Sequence, residues 1–99
     1  MRLTRRDHNI IRQTAREVFG TGIIVRVFGS RADDQARGGD LDLLVESTEA
    51  IPEKHRETLS YEAKLQQRLG DQPIDVLVLD PATEQLPIHR EARRTGVAV

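Results

Sequence analysis

The chain has 99 residues, 31% of them charged, with Phe19, Phe28 and Tyr61 as its aromatic residues; that suits one small domain over residues 1–99 with a core of Ile, Leu, Val and Ala. A formal net charge of −1 supplies no basic field to draw in nucleic acid. The lack of cysteine excludes a disulfide scaffold, a thiolate nucleophile and a Cys-based zinc site. The basic N-terminus leads into no apolar run and no stretch approaches the ~18 apolar residues of a membrane span, so the expectation is a soluble, cytoplasmic protein without a membrane partner.

Thr4 is placed to cap a helix running to about Phe19, with Ile11, Ala15 and Val18 at helical spacing and Arg12 and Arg16 off that stripe. Gly20-Thr21-Gly22 ends it, and the β-branched run Ile23–Phe28 predicts a strand that Gly29-Ser30 closes. The segment 31–39 is polar, with a single helical turn around Ala32. Leu41–Val45 predicts a second strand. Pro52 suits the first turn of a helix over about Glu53–Leu69, with Leu59, Ala63 and Leu69 inward and Gly70 as its stop. Ile74–Leu79 predicts a third strand and Asp80-Pro81 a turn. A last helix covers roughly Thr83–Arg94, interrupted or started by Pro87, and Gly96 ends it. The order α-β-β-α-β-α predicts an α/β (α+β) fold: a small mixed sheet of three or more strands, helices mainly on one face, strand order open. The apolar tail Val97-Ala98-Val99 is expected against a sheet edge or a partner.

Gly29-Ser30 directly after a strand lets backbone approach a phosphate and offers a hydroxyl to it, although alone it reads as an ordinary turn. Asp40-Leu41-Asp42 puts two carboxylates on one face of a strand. Their repulsion raises a pKa or calls for a cation, and magnesium takes such hard oxygen donors while leaving room for substrate phosphates. Alone, the pair reads as a solvated strand entry. Asp75 changes the balance, because an acid inside Ile74–Leu79 needs water, a positive charge or a metal. If the two strands pair, the three acids converge and suit a two-metal phosphoryl-transfer site. Asp80, just before Pro81, is better explained as a turn residue.

Gly29-Ser30, then nine residues, then Asp40-x-Asp42, then an acid in a later strand, resembles the nucleotidyltransferase superfamily that includes DNA polymerase beta. The shortest bacterial members, the minimal nucleotidyltransferases, are the most similar: the insert Arg31–Arg37 and the ending Ile88–Val97 look like theirs. The resemblance implies that Asp40 and Asp42 hold both of two Mg²⁺ ions (Mn²⁺ as a substitute), and that Asp75 holds the catalytic ion and helps deprotonate the acceptor hydroxyl. It implies that Gly29 and Ser30 cradle the β- and γ-phosphates of an NTP, ATP above all, with Arg31 reaching the triphosphate. Gly39 departs from a family serine, which removes one phosphate or capping contact and no metal ligand.

The smallest members resemble the antitoxin half of a toxin–antitoxin pair. The resemblance implies AMP transfer onto a tyrosine of a helical HEPN-domain toxin encoded nearby. Two other readings are a non-catalytic antitoxin that acts by contact and a small-molecule (antibiotic) nucleotidyltransferase, which usually carries an acceptor domain absent here. A homo-oligomer is compatible with so small a core. His8, His55 and His89 lack metal-ligand spacing and read as structural or surface residues. The groups Arg2/Arg5/Arg6 and Arg90/Arg93/Arg94 read as solvated helix faces, since no aromatic stacking platform accompanies them. Lys64 reads as an exposed helical lysine.

Overall fold

In the computed structural model, residues 3–29 and 40–99 are described; Ser30, Arg31 and the expected turn at Ala32 lie outside them. Thr4 starts α1 (Arg5–Phe19) with a reciprocal cap: its hydroxyl accepts from the Asp7 N–H at 3.1 Å, and the Asp7 carboxylate accepts from the Thr4 N–H at 3.2 Å. Ile11, Thr14 and Ala15 are buried on this helix. β1 (Ile23–Phe28) and β3 (Ile74–Leu79) have the expected bounds, while β2 (Leu41–Ser47) runs two residues further than expected.

α2 (Lys54–Leu69) departs from expectation at its start and on its inner face. Pro52 precedes the helix, and Glu53 takes a left-handed conformation, φ 53°, as the N-cap. The buried residues are Tyr61 and Leu65, whereas Leu59 is 53% exposed and Ala63 is exposed. Tyr61 wins the inward position because its hydroxyl donates to the Ile11 carbonyl at 3.0 Å and its ring meets Phe19 edge-on at 5.3 Å. Pro87 starts α3 (Pro87–Thr95) and does not interrupt it. The tail forms a short β4 (Val97–Ala98), absent from the expected order of elements, on the edge of the sheet.

The sheet order is β3-β2-β1-β4. β2 is central, antiparallel to β1 and parallel to β3, the parallel pair being joined across by α2. Strand alternation separates two faces. Val25, Val27, Leu41, Leu43, Val45 and Ile74 form the core with Ile11 and Ala15 of α1 and Tyr61 and Leu65 of α2. The opposite face carries Arg26, Asp42, Leu44, Glu46 and Asp75. α3 lies there: Arg93 forms an ion pair with Glu46 at 3.2 Å, Arg26 pairs with the same carboxylate, and Leu44 is fully buried. Two helices therefore cover one face and one short helix covers part of the other. Among the described residues no helix is long and apolar enough to cross a membrane.

Candidate active site

The face that α3 shares becomes acidic at the start of β2. Asp42 and Asp75 are register partners across the parallel β2–β3 ladder, and Phe28 is the partner of Asp42 on the other side. Registered residues project from the same face, so the two carboxyls meet. Asp42 lies on the central strand and is half-buried, while Asp75 and Asp40 are exposed. Burial pushes the Asp42 carboxyl above its ordinary value, and the negative charges of Asp75 and Asp40 and a hydrogen bond with Asp75 push the same way. Asp42 thus feels the charge of Asp75 across the ladder and of Asp40 two residues before it, but the three acids do not close into one metal-holding group.

Gly29 follows β1 beside this pair. Its φ is +71°, and a Cβ added there would collide with the Asp42 carboxylate. Sequence reasoning assigned the missing Cβ to the approach of a phosphate; in the structure it makes room for Asp42. Ser30 and Arg31, the other expected phosphate contacts, fall outside the described residues.

The donor set has the chemistry of a hard divalent cation site: carboxylate oxygens alone, with the charged form of Asp42 disfavoured by burial and then by its acidic neighbours. Among the described residues no three His, Cys, Asp or Glu side chains form a group that could by itself hold a metal ion. The pair Asp42 and Asp75, with Asp40 alongside, needs further oxygens, such as those of substrate phosphates, to complete a coordination shell.

Glu62, to which no sequence motif points, lies near enough to Asp75 to feel its charge. Burial first, then Asp75, raises its carboxyl, while the Val76 backbone N–H and His55 oppose this. Only the packing of α2 on β3 brings it there, so no local signal marks it.

Asp80 is the turn residue that its place before Pro81 suggests. Its carboxylate accepts from Thr83 Oγ1 at 2.6 Å, the Ile51 N–H at 2.9 Å, the Ala82 N–H at 3.2 Å and Lys54 Nζ at 3.4 Å. Those bonds, the Ile51 amide foremost, hold its pKa at about 2. It ties the loop before α2 to the end of β3 and takes no part in the acid cluster.

His89 is buried, and its Nδ1 accepts from the Leu86 N–H at 3.0 Å, capping α3. Lys64 lies in the groove between the two helices on the core face, where its charge acts on Glu17. Arg26 and Arg93 serve Glu46, and Arg94 pairs with Glu91 at 2.7 Å. Arg90 stays exposed.

A family model described as a nucleotidyltransferase domain matches residues 8–96. A comparison with curated proteins gave no match.

Proposed function

Because the chain belongs to the nucleotidyltransferase domain family, we propose that it moves AMP from ATP onto a tyrosine hydroxyl of a helical HEPN-domain partner, and so acts as an antitoxin. The observation that carries the transferase chemistry is the registered pair Asp42 and Asp75, with Gly29 folded against Asp42.

In this reading the acceptor oxygen attacks the α-phosphorus of ATP. A new P–O bond forms, the bond to the bridging oxygen breaks, and pyrophosphate leaves. Asp75, exposed at the edge of the acid pair, accepts the hydroxyl proton. Asp42, half-buried on the central strand, would offer a fixed carboxylate oxygen to a cation that in turn meets the triphosphate. Gly29, Ser30 and Arg31 bind the β- and γ-phosphates. Two divalent cations, Mg²⁺ or Mn²⁺, held by Asp40, Asp42 and Asp75, would supply the charge that activates the acceptor and stabilises the leaving group. Support for a protein acceptor is spatial: α3 covers part of this face, over β1 and β2, and leaves the acid pair at its edge open for an acceptor that brings its own surface.

Incubation with Mg²⁺, ATP labelled at the α-phosphate and the neighbouring gene product tests the proposal. Label should pass to that protein with the wild type and not with Asp75→Asn. Label that stays entirely on ATP with a folded pair of proteins would refute the transferase reading and favour neutralisation by contact.

A further inference from the structure

β3 forms the edge of the sheet opposite to β4. Strand alternation puts Asp75, Leu77 and Leu79 on one face, as register partners of Asp42, Leu44 and Glu46. α3 packs on β1 and β2, where Leu44 is fully buried, while Leu77 and Leu79 keep part of their surface open. An apolar track therefore leads along β3 away from the acid pair.

The track ends in a pocket of about 350 Å³ lined by Glu46, Leu79, Asp80, Thr83, Gln85 and Arg93. Its charges do not balance. The Glu46 carboxylate is shared by two guanidiniums, those of Arg26 and Arg93, whereas Asp80 is offset by Lys54. One cation is thus in excess. Arg93 is the more exposed of the two arginines, its side chain at 51% against 28% for Arg26. From Asp75 to Leu79 is four strand steps, about 13 Å, which is also the span of four residues in an extended peptide.

We infer that β3 and this pocket dock an extended segment of the acceptor protein, with the reacting hydroxyl at Asp75 and an acidic side chain four positions away at Arg93. The inference rests on the transferase reading and adds the acceptor's chemistry to it. Residues two apart in an extended segment share a face, so the hydroxyl residue, an apolar residue over Leu77 and the acid all point onto the sheet. Contact with Leu77 and Leu79 contributes affinity, and the excess guanidinium selects the charge. A lysine in the place of the acid would meet Arg93 and be repelled.

Two capped nine-residue peptides test this, each with a central tyrosine and a valine two positions to either side. One has glutamate at both ends and the other lysine, so that either chain direction brings one end to Arg93. In fluorescence anisotropy without nucleotide, the glutamate peptide should bind about tenfold more tightly than the lysine peptide. Arg93→Gln should bring the two affinities together, since Arg26 and Glu46 then balance; the position is exposed, and circular dichroism checks that the fold is retained. Moving the glutamates next to the tyrosine should remove the advantage. Equal affinities for the wild type, no binding of either peptide, or a preference that survives Arg93→Gln would overturn the inference, even where ATP labels the neighbouring gene product. The expected preference without label on any acceptor would instead uphold the docking surface and refute the transferase reading.

Discussion

The Asp42 carboxylate occupies the space where a side chain on Gly29 would begin. The turn after β1 therefore lies directly against the Asp42 carboxylate, and a side chain on Gly29 would displace it. Gly29→Ala meets two penalties: a left-handed φ, which costs an L-residue roughly 1–2 kcal/mol, and displacement of Asp42. Urea unfolding should show a loss of that order, and Mg²⁺-ATP should no longer raise the melting temperature. A variant as stable and as responsive to nucleotide as the wild type would show that the close approach is without consequence.

Asp42→Asn separates stability from chemistry. The Asp42 carboxyl is pushed up by burial, then by Asp75 and Asp40, so its charged form is disfavoured in the folded state. The resulting penalty appears as pH rises through the unfolded value and is complete above the folded one. Asparagine removes it. The variant should equal or exceed the wild type in stability near pH 7, converge with it in acid, and be inactive. Denaturation curves at the two pH values check the sign; an Asn variant markedly less stable at neutral pH would mean that Asp42 is a structural acceptor.

Asp80 has the opposite sign. Its folded pKa of about 2 lies below the ordinary aspartate value, so it adds stability above the ordinary carboxylate range that is lost as pH falls through about 2. The difference corresponds to about 2 kcal/mol. Asp80→Asn should cost about that much at neutral pH, because an amide turns a donor towards the donors of Ile51, Ala82, Thr83 or Lys54. Transfer per folded molecule should survive. Loss of transfer in Asp80→Asn with retention in Asp75→Asn would reverse the assignment of the third acid.

Tyr61→Phe and Tyr61→Ala should differ widely. The first removes one buried hydrogen bond to Ile11, worth about 0.5–1.5 kcal/mol. The second also empties a core position against Phe19, at about 3–5 kcal/mol. Equal losses in chemical denaturation would place the weight on the hydroxyl rather than the ring.

The strands and the acid pair were legible because their signals are local. Ile23–Phe28 and Ile74–Leu79 are β-branched runs between turn residues, and Asp75 is conspicuous inside an apolar strand. That Asp42 and Asp75 share a register was conditional on the two strands pairing, which the sequence left open. The inner face of α2 was misread because Leu59 and Ala63 are the obvious apolar residues. What decides the face is the carbonyl of Ile11, fifty residues away, which accepts from Tyr61. β4 escaped as an element because two residues carry no periodicity; only its apolar character pointed to an edge. Asp80 was legible as a turn residue, yet its bonds to Ile51 and Lys54 span 29 and 26 residues, so the cost of replacing it was not. Glu62 gave no signal at all, since its place depends on helix-on-strand packing.

Intact-mass analysis of the partner after co-expression decides whether the Asp42–Asp75 pair serves transfer of a nucleotide to a protein hydroxyl. The partner mass should rise by one or more nucleoside monophosphates with the wild-type chain and stay unchanged with Asp42→Asn. A tight complex with no mass increase, formed equally well by Asp42→Asn, would contradict it.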